Sequence, residues 1–350
     1  MPSPAPDLSA IVVNHRSVRL CEAAVASLRA RFAEEAISGE ILVVDCASGA
    51  EEQRALSSVG ADQLITLPDN RGYSGGLNAG LASARSRRLL LCNADVEFLP
   101  GCLGPLLAAV QDGRVGAAAP VQFGDRERRV FLPTGLGSSF LLDWRQARSG
   151  RPGAFERRRF ARRARGQWAL WQNGGATRYL AGSILMTRAD VLEEAGKFDE
   201  SFPFEYEETE WEDRLRAAGF ALRVVARSRA LHHHGSSSAV SPGAEGRAAA
   251  SRAAYRRRRY GRAGGAILDW AESHSSRAAF ARYGHEEIPA RPGYALAAST
   301  NPSVLPFAGV SLESPVKLSA LFAAAAPRLY LRTFRTSDGE PGDISEAFAP

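Results

Sequence analysis

The chain has 350 residues, a 45% hydrophobic fraction and a formal net charge of +6. That length allows one large domain or two smaller ones with a sizeable core. No apolar run approaches the roughly 20 residues that a bilayer span needs, which excludes a membrane-spanning helical protein. The four cysteines, Cys21, Cys46, Cys92 and Cys102, have no metal-ligand spacing and are expected as buried free thiols. Met1-Pro2-Ser3-Pro4 lacks the basic and apolar parts of a signal peptide, so a cytoplasmic location is expected. Positive charge is clustered: Arg157 to Arg165 holds six arginines and Arg256 to Arg259 is an unbroken run. Such clusters point to phosphate-rich partners (nucleic acid, anionic lipid or a pyrophosphate substrate) or to a solvated helix face.

Leu8 to Val13 reads as a first buried strand, and Ser17 is placed to cap a helix over Val18 to Phe32. Glu40 to Asp45 is a second strand ending in a carboxylate, and Gln63 to Leu67 a weaker third. Ser74 to Ser86 is helical and rich in small residues that allow close approach to a sheet. Leu89-Leu90-Leu91 then ends abruptly in Cys92-Asn93-Ala94-Asp95. Leu103 to Gln111 is helical and Val115 to Pro120 extended. Strand and helix patterns alternate over short connections, which predicts an α/β fold with a mainly parallel, Rossmann-like sheet.

Ligands of such sheets sit at the carboxyl ends of the strands. Asp95 would stand there, able to hold a divalent cation against a nucleotide diphosphate, or else simply start a turn before Pro100-Gly101. Asp45 holds the position where doubly wound folds place an acid that bonds a ribose or base; its alternative is a helix cap. The stretch from Asn70 to Gly80 combines glycines with Asn70 and Asn78, suiting backbone approach to phosphate. It fits neither G-x-G-x-x-G nor a P-loop, which disfavours a dehydrogenase or a Walker-type ATPase.

From Gly124 to Gly175 no period is clear. Arg157 to Arg165 lies among Phe155, Phe160, Trp168 and Trp171, a composition for a membrane surface, a lipid-linked pyrophosphate or a solvated insertion. Tyr179 to Met186 restores a strand, and Ala189 to Gly196 a helix. Glu207 to Ala218 is a helix whose Glu207, Glu208, Glu210 and Glu212 crowd one another. Acids there suit the helix dipole, but mutual repulsion raises at least one pKa and suits a general base. After a strand at Leu222 to Val225 comes His232-His233-His234-Gly235, a metal or phosphate candidate.

In order and spacing these pieces resemble the family 2 (GT-A type) inverting glycosyltransferases, in particular the rhamnosyltransferase-like branch. The matching pieces are Val12-Val13-Asn14-His15, Val43-Val44-Asp45, Asn70 to Gly80, Asn93-Ala94-Asp95, Gly182 to Arg188, Phe198-Asp199-Glu200, Glu207 to Glu210 and His233-His234-Gly235. The resemblance implies a GT-A sheet with helices on both faces, a nucleotide-sugar donor, and a divalent cation, Mg2+ or Mn2+. It implies that Asp45 contacts the base or ribose, and that Val13, Asn14, Asn70, Gly72, Gly75, Gly76, Asn78, Asn93 and Ala94 line the donor site. Asp95 and His233 would bind the metal, Glu208 or its neighbour Glu207 would be the general base, and Gly182 and Trp211 would shape the acceptor pocket.

There are two departures. Asn93 stands where the family's first D-x-D acid would be, and Glu207-Glu208 replaces the usual Glu-Asp, moving a carboxylate by about 1 Å. The implied acceptor is a saccharide or a polyprenyl-diphosphate-linked sugar in cell-envelope polysaccharide synthesis, with a peripheral place on the inner membrane face. The expected organisation is a catalytic domain over 1–240, with a basic insertion at about 124–175. A helical or irregular extension, partly mobile, would follow over 241–350. In that extension Arg247 to Arg262 is a basic helix, Leu329 to Phe334 a strand, and Ser337 to Pro350 a mobile end. Two other functions compete. A sugar-nucleotide pyrophosphorylase would need a Gly- and Lys-rich N-terminal loop, which Asn14-His15-Arg16-Ser17 is not. A basic nucleic-acid or lipid-binding protein on an inactive transferase fold would bind oligonucleotides in a salt-sensitive way.

Overall fold

The computed structural model describes residues 5–349 except 136–138, 148–152, 203, 234–243, 275–279, 302–303 and 322–327. The chain divides into two compact units, 1–122 with 174–252, and 123–173 with 253–350. The second unit therefore takes the 123–173 excursion together with the C-terminal hundred residues, whereas the sequence suggests an insertion into one domain and an irregular tail.

The first unit opens with β1 (Leu8–Asn14), α1 (Val18–Glu34), β2 (Gly39–Cys46), α2 (Ala50–Leu56), β3 (Gln63–Leu67), α3 (Gly72–Ser83) and β4 (Arg88–Asn93). It continues with β5 (Val96–Phe98), α4 (Leu103–Gln111) and β6 (Val115–Phe123). The excursion contributes β7 (Val130–Phe131), α5 (Phe140–Ala147) and α6 (Ala154–Asn173) to the second unit. The first unit then resumes with β8 (Gly175–Thr177), β9 (Ile184–Arg188), α7 (Ala189–Ala195), α8 (Glu207–Ala217) and β10 (Ala221–His232).

The sheet of the first unit runs β6-β9-β4-β1-β2-β3. Strand β1 is parallel to β2 and β4, and β2 to β3, while β9 lies antiparallel to β4. This is the α/β class with a mixed sheet and helices on both faces. Strand alternation explains the two faces. Leu8, Ala10 and Val12 share a core with Cys21, Val25 and Leu28 of α1 and with Leu103 and Leu106 of α4. Ile11 and Val13 turn the other way, toward α3. A Cβ on Gly80 would stand 2.4 Å from Ile11 Cγ2, and one on Gly76 2.5 Å from Val13 Cγ1. Both glycines are thus required by close helix–sheet approach. Gly80→Ala is expected to destabilise the fold by about 1–3 kcal/mol, measured as a lowered urea midpoint at unchanged slope.

All four cysteines are free and buried. Burial pushes the Cys21 thiol up to about 12. The cap expected from Ser17 is not made. Its hydroxyl donates back to the His15 carbonyl, and Glu52 of α2 accepts the Val18 N–H at 2.8 Å instead. A carboxylate from the next helix reaches the exposed N–H better than the local hydroxyl does.

In the second unit α6 carries a helical period that its arginines hide. Phe160, Ala164 and Trp171 are buried on one face, while Arg158, Arg162 and Arg165 are exposed. Trp171 donates its indole N–H to the Leu132 carbonyl and packs against Phe131 and Phe307. The aromatics interleaved with this basic stretch, Phe155 apart, mostly serve a core. After α9 (Ala244–Ser273) come β11 (Ala281–Arg282), β12 (Glu287–Ile288), β13 (Tyr294–Ser299), β14 (Ala308–Ser311), β15 (Val316–Lys317), β16 (Arg328–Arg335) and β17 (Pro341–Phe348). Strands β17-β16-β13-β14 pair antiparallel around Leu296, Val310, Leu329, Leu331 and Ala347. The terminal stretch read as mobile from its composition is therefore a strand over Pro341–Phe348, held by its ladder with β16. Among the described residues no helix is long and apolar enough to cross a membrane.

Candidate active site

The parallel register lines up the carboxyl ends of three strands. Asn14 is paired with Asp45, and Val13 with Asn93. Asp45 is fully buried. It accepts from Asn14 Nδ2 at 3.1 Å, from the Ser48 N–H at 3.1 Å, from Gln53 Nε2 at 3.1 Å, and from the Ser48 hydroxyl. Its carboxylate thus organises the turn after β2. Asn14 Oδ1, at the adjoining strand end, is buried with no hydrogen-bond partner among the described residues. A buried acceptor of that kind is stabilised by a ligand donor such as a base or sugar N–H or O–H. Val13 packs under α3 and Ala94 belongs to the core. Both side chains are buried in that packing.

The glycine-rich stretch is a helix start rather than an open loop. Asn70 Oδ1 accepts the Gly72 N–H at 2.9 Å, and Gly72 has φ +69°. Gly75 and Gly76 then lie inside α3, buried. Asn78 holds a distant segment: its Nδ2 donates to the Phe198 carbonyl at 2.9 Å and to Glu200 Oε1 at 2.8 Å, and its Oδ1 accepts the Phe198 N–H. Arg71 forms an ion pair with the same Glu200. These residues anchor the 198–200 turn, so they shape the site through it.

Asp95 follows β4 and is buried. The histidine beside its carboxylate is His232, whose Nε2 lies 3.4 Å from Oδ1. His233 donates its backbone N–H to the Asp95 carbonyl and points its ring at Glu97, 2.7 Å away. The sequence picks out His233, but neighbouring strand residues face opposite sides, and β10 turns His232 toward Asp95. His234 and Gly235 lie outside the described residues.

The glutamates sit at the start of α8, behind two consecutive left-handed residues, Glu205 (φ +64°) and Tyr206 (φ +70°). Such strain in non-glycine residues persists only where the surroundings enforce it, and here it sets the direction of Glu207 and Glu208. Glu207 is buried and Glu208 half-buried. Burial pushes Glu208 up to about 7; the Glu205 charge adds to this, and backbone N–H groups at the helix start oppose it. Burial, followed by the Glu208 charge, raises Glu207 well above the usual carboxylate range. Glu208 packs on Gly182, where a Cβ would stand 2.7 Å from Glu208 Cγ.

Tyr73 links these parts. Its phenol donates to the Gly182 carbonyl at 3.0 Å. Burial first, then the surrounding Cys92, Glu207, Glu208 and Asp95, raise its pKa well above the ordinary phenol value. One neutral hydroxyl therefore lies within electrostatic reach of both Asp95 and the glutamate pair. Tyr73 carries no signal of its own in the sequence, where it is one aromatic among glycines. Glu212, fully buried, completes the support by accepting the Leu180 N–H at 2.9 Å. Trp211 is fully buried as well, donating to the Gly196 carbonyl and packing against Phe198, with no surface to offer an acceptor. Tyr73→Phe is expected to leave folding intact and lower activity about tenfold through a displaced Gly182 turn, seen as a fall in kcat with little change in donor KM.

Around Asp95 the carboxylate oxygens suit Mg2+ or Mn2+, while the imidazole nitrogen beside them suits a transition metal and not Mg2+. Among the described residues no three His, Cys, Asp or Glu side chains form a ready metal cage. A cation here would take the rest of its shell from a bound diphosphate.

Residues 9–148 match the sequence model of Glycosyl transferase family 2. None of the curated proteins searched matches the chain. Among solved structures, the chain is similar to the mannosyltransferase PcManGT from Pyrobaculum calidifontis, in complex with GDP-Man and Mn2+. The identity is 16%, the coverage 78% of this chain and 73% of that one, and the TM-score 0.48. It is also similar to GalNAc-T7 with UDP, GalNAc and Mn2+, at 12% identity, covering 99% of this chain and 72% of that one, with a TM-score of 0.49.

Proposed function

We propose that the chain is an inverting glycosyltransferase that moves a sugar, rhamnose being one candidate, from a nucleoside diphosphate donor to a saccharide or lipid-linked acceptor. The observation that carries this reading is the gathering of Asp95, Glu207 and Glu208 around Tyr73 and Gly182, beyond strand ends that also hold Asn14 and Asp45. The family match over 9–148 supports it.

Glycosyl transfer needs an activated hydroxyl and a stabilised diphosphate leaving group. Glu208 takes the proton from the acceptor hydroxyl as its oxygen attacks the anomeric carbon. A carboxyl raised to about 7 has the basicity for this near neutral pH. Burial and the neighbouring Glu208 charge raise Glu207 as well, which disfavours two negative charges side by side. Asn14 Oδ1 and the Asp45 turn receive the nucleoside. Asp95, with His232 or His233, would hold a divalent cation, which when bound neutralises charge on the leaving diphosphate. Direct displacement inverts the anomeric carbon, and nothing in this reading calls for a covalent sugar–enzyme intermediate. We place the reaction in cell-envelope polysaccharide synthesis, with the protein cytoplasmic and peripheral on the inner membrane face.

Calorimetric titration with UDP-, TDP- and GDP-sugars in Mg2+ or Mn2+ tests this reading. Saturable binding of one donor is expected. Absence of binding for all of them, with salt-sensitive oligonucleotide binding instead, would point to an inactive transferase fold used as a basic binding protein.

A further inference from the structure

The exposed large apolar side chains among the described residues are Phe140, Leu141, Phe155, Ile267 and Trp270. All belong to the second unit. Four of them sit on α5 and the end of α9. Helix α9 breaks at Gly261, with φ +72° and ψ 172°. Arg256 then bonds Asp269 at 3.0 Å and Glu272 at 2.7 Å. In a straight helix, groups 13 and 16 residues apart would be separated by about 20 Å or more. The second arm therefore folds back along the first as a helical hairpin. Helix α5 packs on this hairpin: Phe140 meets Tyr260 edge-on at 5.6 Å, Tyr260 donates to Asp143 at 2.8 Å, and Phe140 lies 3.5 Å from a Cβ built on Gly264. Ile267 follows one turn beyond Gly264, and Trp270 three residues later.

Basic charge is in excess along the hairpin, with Arg256 to Arg259 and Arg262 against Asp269 and Glu272. Those two acids, though exposed, are engaged by Arg256. Arg257, whose stem runs beside Gly265, and Arg262 are exposed. We propose that this α5–α9 face docks the protein on an anionic lipid surface, with Ile267, Trp270, Phe140 and Leu141 entering the headgroup layer and the arginines meeting lipid phosphates. Binding of a single-stranded nucleic acid rests on rings that stack on bases, and leaves the aliphatic Leu141 and Ile267 without that contact. A bilayer accommodates both halves of the face. The inference gives a surface to the peripheral location proposed above and rests on that reading only there, because vesicle binding is read without donor or acceptor.

The test uses the full chain and sedimentable vesicles of phosphatidylcholine, with or without phosphatidylglycerol. Co-sedimentation is expected only with the anionic vesicles, weakening as salt rises. Ile267→Glu and the pair Arg257→Glu/Arg262→Glu are each expected to lower the bound fraction about tenfold or more, with circular dichroism and donor binding unchanged. Both sets of positions are exposed, so either variant serves if the other misfolds. Wild type left in the supernatant with both vesicle types would overturn the proposal, as would Ile267→Glu sedimenting like wild type. A dimer in light scattering that Ile267→Glu splits would assign the face to a second copy and would also overturn it. Loss of donor binding in every protein, with vesicle binding intact, would sink the proposed chemistry and leave this surface standing.

Discussion

Glu208→Gln is expected to lower transfer by about 10²–10⁴-fold while donor affinity stays within about twofold. The amide keeps the shape that packs on Gly182 and loses only the ability to accept a proton. Isothermal titration for binding and a coupled nucleotide-release assay for turnover separate the two effects. Normal turnover would remove Glu208 from the role of base and leave Glu207 as the candidate. The pH profile gives a second handle. With Glu208 at about 7 in the folded protein, kcat/KM should fall about tenfold per pH unit below that point, because the protonated carboxyl is inactive. The sign for stability is the reverse. The folded pKa lies above the ordinary 4.5, so the fold binds the proton more tightly than the unfolded chain does. That contribution is fully present below about 4.5 and is lost as pH rises through about 7. Glu208→Gln should therefore flatten the decline in melting temperature between those limits.

Asp95→Asn is the second large effect. Donor binding is expected to weaken about 100-fold, and its dependence on Mn2+ or Mg2+ to disappear, since even outer-shell changes at metal sites cost about 10–100-fold. The substitution conserves shape next to His232, so circular dichroism should not change. If Asp95→Asn bound donor and cation like wild type, Asp95 would have no part in holding the cation.

The sequence marks these two residues for different reasons, and the structure treats them differently. An apolar run ends on Asp95, and acids crowd a helix start at Glu208. Both are strongly local signals. Tyr73 carries no local signal, yet it touches Gly182, which lies 109 positions later. Asn78 looks like a nucleotide contact when its neighbours are glycines, but its partners are Phe198 and Glu200. Trp211 reads as an aromatic beside an acidic site, and α8 turns it inward. A helix rotates 100° per residue, so two positions are enough to move a ring from one surface to another.

By itself the sequence determined the alternation of strands and helices, and hence the α/β class. Periods of 2 and 3.6 are properties of neighbouring residues. It also determined that acids stand at the ends of β2 and β4, because strand ends are marked where apolar runs stop. Only the tertiary structure decided that residues 123–173 join the C-terminal sheet, that the last strand is Pro341–Phe348, and that His232 is the histidine facing Asp95. Each depends on pairing partners far apart in the chain. Strand pairing then selects which of two adjacent side chains faces inward, and no local pattern encodes that selection.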